Sequence, residues 1–254
     1  MTAATPTYRW NTSAAAEGYD EAAPAIHPYY ETIQKHILER MPIKADEAFL
    51  LVDLGGGSGR LVERVLQRFR RACAVIVDQS APFLALAERR LGRFAPRASF
   101  VQRRLQDDWE ADLRAAPDVI VSTSAIHHLV RTEKRSLFVK CFGELKPGGL
   151  LINGDEYRPA DDAEYRELLQ KWSAHMFAAV DAGRIPASFR QTLDFWQDRN
   201  IRRFGEPKQS GDDCHETIAT QVGYLHDAGF DQVAVVWNQE LWAIVVGRKV
   251  TRTS

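Results

Sequence analysis

FLLVDLGGGSGRL, residues 49–61, runs from four apolar residues (Phe49, Leu50, Leu51, Val52) into Asp53 and then places four glycines ahead of Arg60. That order reads as a buried strand, a turn too tight for side chains, and a helix N-terminus. Glycine serves such a turn twice. It adopts positive φ at little cost, and it lets a ligand approach backbone that a Cβ would shield. The N–H groups at the helix start then favour a carboxylate or a phosphate. A dinucleotide fingerprint, G-x-G-x-x-G, would need glycine at position 60 if it began at Gly55, and position 60 is arginine.

Further along, the apolar stretch 72–77 ends in Asp78, nineteen residues after Gly59, which is room for one helix and one parallel strand. An acid at that strand end can accept two hydrogen bonds from a ribose diol, and it can also cap the next helix. DVIVSTSAIHHL (118–129) reads as a strand running into a turn, and ELKPGGLLI (144–152) as a helix end, a reversal and a strand.

Taken together, Asp53-x-Gly55-x-Gly57-x-Gly59, Asp78, STSAIHHL and LKPGG resemble the class I S-adenosylmethionine (SAM)-dependent methyltransferases of the small-molecule type. The resemblance covers residues 45–155 by motif and 217–249 by topology. It implies an α/β fold: a seven-stranded Rossmann-like sheet with an antiparallel C-terminal hairpin, N-terminal helices, and a helical insertion before the last helix. SAM is the implied cofactor. Asp53, Gly55 and Gly57 correspond to the methionine-side cradle, Asp78 to the ribose acceptor, and Gln79 to the adenine border. Ser122 lies where the backbone past the fourth strand meets the methionine end, and Tyr19, in a YD context, where an N-terminal helix closes over the cofactor. Arg104 stands where the family commonly has an acid, and a guanidinium cannot accept from the adenine amine. Either that corner falls to Gln106 or Asp107, or the correspondence slips by two or three residues, with the Leu105 N–H serving the ring edge.

The rest of the chain is read on periodicity. Helices are expected over residues 14–20, 28–41, 60–69, 82–91, 132–145, 160–182, 186–203 and 218–228. Strands are expected at 49–52, 72–77, 99–101, 119–121, 150–153, 231–237 and 241–248, with a turn at 238–240. Residues 1–13 read as an arm holding Tyr8 and Trp10. Residues 1–44 form an N-terminal arm and helices over the cofactor site, and 45–254 the SAM-binding domain. Its aromatic-rich insertion at about 156–215 is either a lid shaping an apolar acceptor pocket or an accessory layer, such as a homodimer contact.

Composition narrows the partners. A hydrophobic share of 45%, a charged share of 26% and a net charge of −1 describe an ordinary globular chain with no global field for nucleic acid or an anionic membrane. The 25 arginines and 8 lysines are scattered among acids. Three isolated cysteines argue against disulfides and zinc, and the absence of a signal peptide or a long apolar run points to the cytoplasm.

Methyl transfer from a sulfonium demands alignment and dryness more than a fixed triad. His128, at a helix start by the cofactor mouth, is the catalytic candidate for a base. His127, His175 and His215 rank behind it, and no metal site is expected. The reading is therefore methyl transfer to oxygen or nitrogen of a small molecule. The alternatives are a tRNA or protein methyltransferase, which would show a basic stripe with exposed aromatics, and a SAM-binding protein that transfers nothing.

Overall fold

The apolar run after Ala48 forms β1 (Phe49–Leu54), and its register places it at the centre of the sheet: it pairs in parallel with β2 (Ala72–Asp78) on one side and β4 (Val119–Thr123) on the other. The computed structural model describes residues 11–250; the arm with Tyr8 and Trp10 lies outside them. Among the described residues the sheet has seven strands in the order β3-β2-β1-β4-β5-β7-β6. It includes β3 (Ala98–Gln102), β5 (Leu150–Glu156), β6 (Gln232–Gln239) and β7 (Trp242–Arg248). β7 runs antiparallel between β5 and β6, the arrangement that the resemblance implies.

Strand residues alternate between two apolar layers, as a sheet covered on both faces requires. Leu51, Ile76, Val121, Ile152 and Ile244 pack against α2 (Tyr30–Arg40), α3 (Arg60–Arg68) and α4 (Ala81–Leu91). Val52, Val77, Ile120, Leu151 and Val245 pack against α5 (Arg131–Glu144) and α8 (Ile218–Ala228). Each such side chain contributes about 1.5–3 kcal/mol on burial. At Gly154 on β5, an added Cβ would lie 2.7 Å from Ile33 Cγ2, so its absence lets α2 settle directly on the strand.

Several element ends depart from the sequence expectation. The first helix, α1 (Ser13–Ile26), runs past residue 20 and through Pro24, where hydrophobic burial of Ala22, Ala23 and Ile26 outweighs the break a proline usually makes. Pro28, expected inside the second helix, precedes it. β5 extends three residues beyond Asn153 because β7 pairs with Asp155 and Glu156. That pairing continues through Gln239, so the hairpin turns at Glu240, which takes φ 53°.

The insertion is helical, as expected. It comprises α6 (Asp162–Asp181), α7 (Arg190–Gln197) and a wide π turn at Asp198–Arg202. Trp172 of α6 anchors it: its indole N–H donates to the Ile26 carbonyl of α1 (2.8 Å), and its ring meets Trp196 and Trp242. No helix among the described residues is long and apolar enough to cross a membrane.

Candidate active site

The strand order reverses between β1 and β4, and the crevice at that switch point is where open α/β sheets bind ligands. A cavity of about 740 Å³ lies there, lined by the turn after β1 (Asp53, Gly55, Gly57), the end of β2 (Asp78, Gln79), Leu105, and Ser124 and His128 beyond β4. Tyr19 and Asp20 of α1 and Tyr30 of α2 close it from above. The structure thus gathers Tyr19, Asp53, Gly55, Gly57, Asp78, Gln79, Leu105 and His128 around one space.

Ser122 is the exception. Its fully buried hydroxyl donates to the Leu54 carbonyl (2.8 Å), stitching β4 to β1, and its neighbours Thr123 and Ser124 line the cavity instead. Of the residues at the expected adenine corner, Arg104, Leu105 and Gln106 face the cavity, whereas Asp107 turns back to accept from the Arg104 N–H (3.3 Å).

The turn packs closely against the segment after β4. Gly55 sits at φ 70°, and a Cβ there would lie 2.4 Å from that of Ala125. The Gly57 N–H donates to Asp78 Oδ2 (3.0 Å) and the Ser80 N–H to its Oδ1 (2.8 Å), so both oxygens are held at the cavity wall. Burial raises the Asp78 pKa to about 6 despite those bonds. Burial, with Asp78 nearby, raises that of Asp53 to about 7. Asp53 Oδ1 is buried without a hydrogen-bond partner, a polar atom at the cavity wall open to a further bond.

Beneath α1, Asp20 is gripped by Arg90 (2.8 Å), Arg60 (2.8 Å) and the Ser58 hydroxyl (2.5 Å). Burial opposes its charge, but these donors prevail and lower its pKa to about 2. The helix carrying Tyr19 is thereby fastened to the glycine turn.

A second recess, of about 60 Å³, adjoins the first through Tyr19, Ser124 and His128, which line both. Its other walls are His27, His127 and Asp213, with Trp172, Phe189 and Trp196 from the insertion. His128 Nδ1 lies 3.3 Å from the Asp212 carbonyl and 3.4 Å from Asp213 Oδ1. His175 bonds to the Ala25 carbonyl (2.9 Å) and lines neither space.

Sequence reasoning missed the acids beside these histidines. His127 Nδ1 lies 2.6 Å from Asp155 Oδ1 and 2.5 Å from Glu156 Oε2, and His27 Nδ1 lies 3.1 Å from Glu156 Oε1. Burial disfavours charge on His127, but Glu156 and Asp155 overcome it and raise its pKa well above the usual value. Burial alone would raise Glu156; His127 instead pulls it well below the carboxylate range. Burial together with charged His127 pushes His215 down to about 3. The available signal was position: Asp155 and Glu156 follow an apolar strand at its carboxyl end, where α/β ligand sites are built. Asp213 had none, since it arrives on a loop that backbone bonds from Gly211 and Cys214 tie under His128 and His127 (2.8 Å each).

A model described as a methyltransferase domain matches residues 52–151. The trans-aconitate 2-methyltransferase of Delftia acidovorans is 30% identical over 204 residues, covering 79% of this chain and 71% of the relative. An O-methyltransferase family protein from Burkholderia thailandensis shares the fold with TM-score 0.65 at 18% identity, over 93% of this chain and 60% of that one. Human N-acetylserotonin methyltransferase, solved with SAM, gives TM-score 0.62 at 16% identity, over 95% of this chain. This chain spans 58% of that enzyme. With the glycine turn, the switch-point cavity and the inserted antiparallel strand already in place, the match to the relative settles the family: the chain belongs to the class I SAM-dependent methyltransferases.

Proposed function

We propose that this enzyme methylates an oxygen or nitrogen of a small molecule with an aromatic or apolar part, whose reacting end enters the recess between the paired histidines and the insertion from the larger cavity that adjoins it. The observation that carries this reading is the shared wall: Tyr19, Ser124 and His128 border both the large cavity and the recess. SAM supplies an electrophilic methyl on a sulfonium with a good leaving group. Asp78 holds the ribose hydroxyls, the Gly55–Gly57 backbone and Asp53 face the methionine end, and Gln79 and Leu105 border the adenine. Tyr19 closes the site from α1. The tryptophans exclude water, and His128 is the side chain placed to take a proton from the acceptor.

Enclosure favours a small molecule over tRNA or protein, since the recess is roofed by α1, α6 and α7. Its lining also separates this chain from its relative's named substrate. A tricarboxylate calls for guanidinium or ammonium partners, and the recess holds Asp213 and three histidines but no lysine or arginine. This reading favours a hydroxyl or an amine as the acceptor group; the cations that could instead anchor a carboxylate are His127 in the recess and Arg60, Arg103 and Arg104 in the adjoining cavity. The three cysteines, all free, suit a reducing cytoplasm.

The test is incubation with labelled SAM against hydroxylated and aminated aromatic compounds, with trans-aconitate alongside. S-adenosylhomocysteine formation with a member of the first set is expected. Turnover of trans-aconitate alone would overturn the acceptor reading, and SAM binding without any turnover would favour a non-transferring protein.

A further inference from the structure

The ionisable groups around His127 outnumber what methyl transfer requires. Two overlapping sets of ligand-type atoms meet there, His127 with His128 and Asp213, and His127 with Glu156 and His215, each within 4.8 Å. In the first set Asp213 Oδ1 lies 3.8 Å from His127 Nε2 and 3.4 Å from His128 Nδ1. Nitrogen and oxygen ligands bound at about 2.0–2.2 Å to one tetrahedral centre lie roughly 3.4 Å apart; the two Asp213 separations come within a few tenths of an ångström of that, and the two imidazoles, within 4.8 Å of each other, would close the rest on binding.

The surroundings match what a bound cation needs. His127 turns its other nitrogen, Nδ1, to the Asp155 and Glu156 carboxylates (2.6 and 2.5 Å). Such a carboxylate fixes the tautomer of a metal-binding imidazole and strengthens it as a donor. Asp213 Oδ2 is held by the Asn200 amide (2.8 Å), which leaves Oδ1 directed at the histidines. His215 Nε2 is buried with no hydrogen-bond partner. Lys134, fully buried, donates to the Cys214 carbonyl and lies 3.1 Å from Glu216, fixing the loop that delivers Asp213.

We propose that His127 Nε2, His128 Nδ1 and the Asp213 carboxylate bind one divalent transition cation of the zinc type, with a remaining coordination position open to the acceptor recess. Two imidazoles and one carboxylate suit zinc, cobalt or iron rather than magnesium or calcium, which prefer all-oxygen sites. The open position would take water or an acceptor oxygen. In the loaded protein His128 is a ligand through Nδ1, which would give up its hydrogen bond to the Asp212 carbonyl and release a proton on binding, and the acidity of an acceptor hydroxyl would come from the cation. The proposal uses the recess assigned above, but cation binding is read without SAM or acceptor, so either reading can fail alone.

Chelator-treated protein is titrated with Co2+, followed by visible absorption, and with Zn2+ in a calorimeter. One equivalent with a four- or five-coordinate cobalt spectrum is expected. His128→Ala and Asp213→Asn should each weaken binding about 100-fold, and Glu156→Gln, acting through His127, about 10–100-fold. His36→Ala, on α2 and away from the recess, should leave it unchanged. No cobalt spectrum in the wild type, or binding that survives both ligand variants, overturns the proposal. Should the variants fold poorly, anomalous diffraction from zinc-soaked wild-type crystals decides. A peak bonded to the three named atoms supports the site, and a peak elsewhere or none refutes it.

Discussion

The amide of Gly57 donates to the Asp78 carboxylate across 3.0 Å, so the turn after β1 and the end of β2 hold each other in position. The acid that would grip the cofactor's sugar is thus already aimed before any ligand arrives. Asp78→Ala should weaken SAM binding about 10–100-fold, the worth of hydrogen bonds to a charged acceptor at about 1.5–3 kcal/mol. Calorimetry on the folded variant checks this, and an unchanged Kd would remove Asp78 from the site.

Acidity should act on the same pair. Burial raises Asp53 to about 7 and Asp78 to about 6 in the folded protein. Unfolded aspartates titrate near 3.9, so the free protein keeps protons that the unfolded chain releases. Its stability from these two groups is therefore greatest below pH ~4 and declines as pH rises through about 7. The ribose contact proposed for Asp78 needs the ionised carboxylate, so SAM affinity would run the other way and should fall about ten-fold from pH 7.5 to 5. Binding titrations across that range should show the slope in the wild type and a flatter profile in Asp78→Asn.

Gly55→Ala places a methyl 2.4 Å from the Ala125 side chain at a backbone φ of 70°. The left-handed conformation alone costs about 1–2 kcal/mol, and the overlap adds to it. A Tm lowered by roughly 4 °C or more is expected, together with lost SAM binding. A variant that melts and binds like the wild type would show that the turn is not shaped as described.

Asp20 joins α1 to the glycine turn. Its pKa of about 2 lies below that of an unfolded aspartate, so its contribution is present above pH ~4 and lost as pH falls towards 2. Asp20→Asn should cost about 1–2 kcal/mol at neutral pH, with part of the coupling screened by solvent. Denaturant melts at pH 7 and pH 3 should show the gap between wild type and variant narrowing to about half at the lower pH.

Trp172 ties the insertion to the first helix. Trp172→Ala should cost about 3–5 kcal/mol through the cavity it leaves, whereas Trp172→Phe, which keeps most of the ring contact, should cost less. In the phenylalanine variant the acceptor KM should rise more than the SAM Kd, because Trp172 lines the recess and not the larger cavity. An equal rise in both would assign the insertion a purely structural part.

The sheet, and the gathering of the glycine turn and Asp78 around one cavity, were legible because local rules write them: an apolar run, glycines at the turn, and an acid one helix and one strand later. The helix at 218–228 was read to the residue because Gly229 ends it. Long-range pairing was not legible. β5 outran its expected end because β7 hydrogen-bonds to Asp155 and Glu156, and Ser122 was spent on Leu54 by a strand neighbour sixty-eight residues away. The acids around His127 come from β5 and from a loop that only the fold brings there, so a search for metal-type spacing along the chain passed over them.

The position of β7 carries one last consequence. A strand made after β6 slots between β6 and β5, so the edge bearing Asp155 and Glu156 stays unpaired on the ribosome until residues 242–248 emerge. The first five strands can assemble in order during synthesis, yet the acceptor side of the pocket matures last. Nascent chains stalled before residue 242 should therefore bind hydrophobic dyes and chaperones at that raw edge.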